Sequence, residues 1–99
     1  MIQIQIKAGH RHVAIDVSGH ANAAPKGEDV ICAGVSALVL TLAEALPRAG
    51  APDYTCSLAD GKARIECRRT DATEPVFNTI VWGLDLLAKT YPQYIKVSI

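Results

Sequence analysis

Ile2, Ile4 and Ile6 alternate with Gln3, Gln5 and Lys7, the period of two of a strand with one face buried. Val13, Ile15 and Val17 repeat the pattern beyond a turn around Ala8-Gly9-His10-Arg11, so the two segments predict a hairpin. From residue 18 to residue 29, Ser18, Gly19, Asn22, Pro25, Gly27 and Asp29 are turn and cap residues with alanines between them, which reads as a loop. Val30 to Leu46 is almost wholly apolar, with Glu44 its only charge. Alanine and leucine favour helix there, and Asp29 is a good N-cap. A helix apolar on nearly every side needs cover on more than one, from the sheet and from a second subunit. Pro47 and Gly50 are expected to end it, and Pro52 to keep the connector extended.

Tyr54, Cys56 and Leu58 then alternate with Thr55, Ser57 and Ala59, and Ala63, Ile65 and Cys67 alternate with Arg64, Glu66 and Arg68. Asp60-Gly61 between them is a strong two-residue hairpin signal. Pairing Ala59 with Lys62 sets Cys56 opposite Ile65 and Tyr54 opposite Cys67, all on one face. Cys56 and Cys67 are therefore expected in the core, and Cys32 is expected to react first with a thiol reagent. Thr73-Glu74-Pro75 opens a second helix, with proline in the first turn where its missing N–H does no harm. Val76, Phe77, Ile80, Val81, Leu84, Leu87, Ala88 and Tyr91 make one apolar stripe along it, and Ile95, Val97 and Ile99 give a last strand. The order ββαββαβ predicts an α+β fold: a mainly antiparallel or mixed sheet with two helices packed on one face.

Ninety-nine residues, 49% hydrophobic and 20% charged, are one globular domain's worth of chain. Ten basic and ten acidic side chains balance, which argues against the electropositive surface of a nucleic-acid or anionic-membrane binder. The alternating start is unlike a targeting signal, and no apolar run is read as approaching a membrane span. Three cysteines without CxxC spacing support neither a disulfide framework nor a cysteine-based zinc site, and point to a reducing cytoplasm.

One stretch departs from plain scaffold: Gly19-His20, a short loop, then Asp29-Val30-Ile31-Cys32. With Asp29 as N-cap, Cys32 falls in the first helical turn, where unpaired N–H groups and the positive end of the helix dipole favour a thiolate. His20 stands where the second strand ends, so the loop can bring it to Cys32 and supply the base a cysteine nucleophile needs. Asp29 reads as a cap accepting the Cys32 N–H, or as a group orienting His20. Ser36 lies one turn further on, Ala33 and Gly34 are small enough for a substrate backbone to approach, and the Cys32 N–H is a candidate oxyanion donor.

Gly19-His20-Ala21, Gly27 and Asp29-Val30-Ile31-Cys32-Ala33-Gly34-Val35-Ser36-Ala37 together resemble the signature of the ribosomal-processing cysteine proteases, the Prp family. The resemblance implies a small cytoplasmic, homodimeric endopeptidase, and a Cys–His mechanism is expected to need no cofactor or metal. Its members remove a short hydrophobic N-terminal extension from a large-subunit ribosomal protein, and phage relatives trim capsid or scaffold proteins. It also implies His20 as general base, Cys32 as nucleophile, and Asp29 and Ser36 as supporting residues. The intervening loop of Ala21, Asn22, Ala23, Ala24, Pro25, Lys26 and Gly27 would close over the peptide. This loop carries no aromatic, where family members often do, and Pro25 should stiffen it.

Two rival readings follow from the residues. His10 and His12 could be imagined as metal ligands with His20 and Cys32, but they lie at the far end of the second strand, roughly 25 Å away if extended. Arg68-Arg69, with Arg64 and Lys62, is the one basic cluster, and would suit a non-enzymatic ribosome- or RNA-associated module.

Overall fold

The computed structural model describes residues 1–20 and 29–99. Strands β1 (Ile2–Ala8) and β2 (His12–Ser18) lead to helix α1 (Val30–Arg48). Strands β3 (Thr55–Ala59) and β4 (Lys62–Arg68), helix α2 (Thr73–Thr90) and strand β5 (Ile95–Ser98) complete the chain. The predicted order and the mixed sheet are thus both present. The sheet runs β3-β4-β2-β1-β5, antiparallel except for the β1–β5 pair.

The strand periodicity sets the core. Ile2, Ile4, Ile6, Val13, Ile15, Ile65, Cys67 and Ile95 are buried on one face of the sheet, against Ile31, Val35, Val39, Leu42 and Leu46 of α1 and Phe77, Ile80 and Leu84 of α2. The helices also touch each other at their glycines: a Cβ at Gly83 would lie 3.1 Å from Leu38 Cδ1, and one at Gly34 would lie 3.6 Å from Leu87 Cδ1. By length and composition alone α1 could cross a membrane, against the expectation that no run nears that length. Here it is a core helix, its buried stripe packed on the sheet.

Four details depart from the sequence expectations. Ile99 is 95% exposed and lies beyond β5. Tyr54 precedes the β3–β4 ladder, which starts at Thr55 paired with Glu66. Cys56 has the predicted partner, Ile65, yet every residue of β3 is exposed. The reason is width: two helices about 10 Å across cover roughly four strands spaced ~4.8 Å apart, leaving the β3 edge bare.

The fourth departure is Pro47, which lies inside α1 rather than ending it. Proline at 47 has no N–H to give to the carbonyl four residues back, that of Ala43. The Tyr54 hydroxyl takes the place of the missing amide, donating to Ala43 O at 2.8 Å. Burial, then the hydrogen bond with Cys56, pushes the Tyr54 phenol up to about 12. A raised pKa means the protonated phenol is favoured in the folded state. Its contribution is full below the ordinary value of 10.0 and fades as pH rises through about 12. Tyr54→Phe should therefore cost about 1 kcal/mol near neutral pH, seen in denaturant melts. It should also flatten the stability loss between pH 10 and 12; an unchanged alkaline profile would remove Tyr54 from that transition.

Candidate active site

Asp29 immediately precedes α1 and is 8% exposed. Its Oδ1 accepts the Ile31 N–H at 2.9 Å and the Cys32 N–H at 3.2 Å, the cap expected from the sequence. The Ala33 N–H is also occupied, bonding Asp29 O at 3.1 Å. This overturns one expectation: the Cys32 N–H is committed to its cap and is not a free oxyanion donor here. The Cys32 side chain is half-buried at the third position of the helix, near the positive end of its dipole.

His20 reaches the same place from the other side. Gly19 turns the chain with φ +93°, and a Cβ there would overlap the Met1 carbonyl. The Gly19 N–H donates to Gly61 O at 2.9 Å, extending the β2–β4 pairing one step past Ser18 and Lys62. His20, Asp29, Cys32 and Ser36 all line one cleft of about 570 Å³. Its other walls come from Ile2 and Val17 of the sheet, Val39 and Leu40 of α1, and Leu58–Ala63 of the β3–β4 hairpin. The cleft thus sets apolar side chains, with Asp60 and Lys62 of the hairpin among them, beside a thiol, an imidazole and a hydroxyl. The loop residues Ala21, Asn22, Ala23, Ala24, Pro25, Lys26 and Gly27, with their expected closure and stiffening, lie outside the described residues.

Nothing in the pattern of residues 54–68 places the β3–β4 hairpin at the cleft. Residues 50–99 carry no motif, and the placement of β4 beside β2 joins strands far apart in sequence. The signal available was the Asp60-Gly61 turn, which reads as a hairpin but says nothing of what lies against it.

The other two cysteines differ from expectation and from each other. Cys67 is fully buried, and burial pushes its thiol up against the lowering effect of Thr73. Cys56 is exposed on the bare edge strand. In folded protein, iodoacetamide should modify Cys32 and Cys56 while sparing Cys67, read by mass spectrometry of peptides. Modification of Cys67 at a comparable rate would contradict this packing.

His12 begins β2 and pairs with Asp53 at 3.6 Å, while His20 follows the strand's other end. Among the described residues no three His, Cys, Asp or Glu side chains gather to hold a metal ion. Two of the four basic side chains are engaged with acids: Arg64 bonds Asp16 at 2.5 Å, and Arg69 bonds Glu74 and also the Gly9 carbonyl.

Comparison with known proteins bears on the fold and the family. The essential ribosomal processing protease Prp from S. aureus, in complex with a covalently linked product peptide, has the same fold. Its TM-score is 0.87 at 22% identity, over 99% of this chain and 98% of that one. The S. aureus protease in complex with a substrate peptide gives 0.76 at 20% identity, over 99% and 98%. A Streptococcus mutans protein gives 0.74 at 26% identity, over 100% and 93%. No curated protein matches the sequence. Fold and family model together place the chain among the cysteine proteases. It belongs to the Cysteine protease Prp family, whose model matches residues 1–96.

Proposed function

We propose that this chain is an endopeptidase in which Cys32 is the nucleophile and His20 the general base. Its substrate is a protein carrying a short hydrophobic N-terminal extension, of the kind found on a large-subunit ribosomal protein. The observation that carries the reading is the shared cleft: a thiol from α1 and an imidazole from the end of β2 face one trough with apolar walls. The relatives add support, since the S. aureus fold neighbour is a ribosomal processing protease with a peptide product covalently linked to it.

In this scheme His20 takes the proton from Cys32 Sγ, and the thiolate adds to the scissile carbonyl carbon. The tetrahedral intermediate collapses as His20 returns that proton to the leaving amine, and a thioester remains on Cys32. Water then attacks the thioester, giving its proton to His20; the acid product leaves and the thiol is restored. Asp29 serves by fixing the first turn of α1 through its two cap bonds, which holds Cys32 in place. Ser36 stands one turn on, within reach of a bound peptide's polar groups. Apolar walls from Val17, Leu40 and Leu58 suit a hydrophobic extension.

The reading extends to a homodimer in the cytoplasm. Val30 on α1, and Trp82 and Leu86 on α2, are large apolar side chains left exposed outside the cleft, which a second copy would cover. A reducing compartment keeps the Cys32 thiol available. The test is incubation with a panel of peptides bearing hydrophobic N-terminal segments, read by mass spectrometry. Cleavage at one bond near the end of the apolar segment is expected, and absence of any cleavage across the panel would overturn the substrate assignment.

A further inference from the structure

We propose that Gly61, in the β3–β4 turn, is a positioning residue for His20. The inference rests on the reading of His20 as the base and adds a part that the Gly-His and Asp-x-x-Cys segments do not contain. The turn takes a positive φ at Gly61, +72°, and its carbonyl accepts the Gly19 N–H at 2.9 Å. That bond brings the chain back across the turn, so the imidazole comes to rest on Gly61 itself. A Cβ there would lie 2.7 Å from His20 Nε2, 3.3 Å from Cε1 and 3.5 Å from Cδ2. Ordinary contacts between heavy atoms settle at about 3.5–4.0 Å, so the ring occupies the space a side chain would fill.

The consequence of adding a methyl group follows from what can move. The obstacle is the far end of one exposed side chain, not backbone, so the sheet stays and the ring shifts by roughly 1 Å. A displacement of that size at a reacting group costs about 100-fold in rate. Gly50 supplies the control within the same chain. It has the same φ of +72°, and a Cβ there would meet nothing within 4 Å. Gly50→Ala therefore carries the backbone strain of Gly61→Ala without the collision.

The experiment compares Gly61→Ala, Gly50→Ala, His20→Ala and the double variant His20→Ala/Gly61→Ala, with kcat and KM for a cleaved peptide and the pH profile of kcat. Thermal melts run alongside. Gly61→Ala should lower kcat about 10- to 100-fold with KM within about twofold and an altered pH profile. Gly50→Ala should match the parent in kcat, and the two glycine variants should lose similar stability. In the His20→Ala background, Gly61→Ala should change neither the residual turnover nor the rate of Cys32 alkylation. Should Gly61→Ala not fold, Gly61→Asn presents the same Cβ with a residue that tolerates positive φ. Equal kcat for Gly61→Ala and Gly50→Ala, or the same loss with and without His20, overturns the inference and leaves the Cys32–His20 reading standing. Full turnover in His20→Ala overturns that reading, and this inference with it.

Discussion

Cys32→Ala is expected to fold normally and to leave no measurable peptide cleavage. The side chain lost is small and half-buried at the edge of the core, and the cap that starts α1 runs through the Cys32 backbone N–H, which alanine keeps. Stability should change by less than about 1 kcal/mol, in line with a substitution that opens no sizeable cavity. The chemistry should change far more. Without a nucleophile no thioester forms, and losses on the order of 10⁵-fold or greater are typical when a covalent peptidase is deprived of its attacking atom. Cys32→Ser should fare little better, because a hydroxyl is a much weaker nucleophile in a site arranged for a thiol. Turnover is measured by product mass over time, beside circular dichroism and a melt. Persistent cleavage in Cys32→Ala with loss in Cys56→Ala would move the nucleophile to β3 and end the scheme.

Gly19→Ala should damage fold and activity together. A left-handed backbone costs a residue with a Cβ about 1–2 kcal/mol. Here the added atom also overlaps the Met1 carbonyl, which is backbone and cannot swing aside. The neighbouring Ile2 is tied to the β5 side, its N–H donating to Tyr94 O at 2.8 Å and its strand paired with β5 from Ile95. Relief therefore means pulling the start of β1 away from β5 or rotating Gly19 away from Gly61. Either should lower stability by more than about 2 kcal/mol, a fall in Tm of roughly 10 °C or more for a chain of this size. His20 follows Gly19, so kcat should fall as well. A melt within about 2 °C of the parent would show that the first residues of β1 yield freely.

Much of this was readable from the chain because each element repeats its pattern consistently. The alternation of Ile2 to Ile6 and Val13 to Val17 gives the inner face directly, and Asp29 before an apolar run gives the start of α1 and its bond to Cys32. What could not be read depends on distances between elements. Alternation tells which way Cys56 points but not whether a helix lies over it, and that is decided by how many strands two helices can span. The role of Gly61 was equally hidden, since it arises only once β4 lies beside β2 and the turn meets the residue following Ser18. The commitment of the Cys32 N–H was half visible: Asp29 three residues earlier points to the cap bond, and a hydrogen held there is not open to an oxyanion.

The proline within α1 links two positions that share no chemistry of their own. An alanine at 47 would restore an amide to the Ala43 carbonyl, and the phenol at 54 would then have nothing left to replace. The penalty of Tyr54→Phe should shrink toward zero in a Pro47→Ala background, so each substitution changes the meaning of the other. Variation at these sites is best read as a pair: anyone stabilising or redesigning this scaffold one residue at a time would mistake a joint solution for two separate requirements.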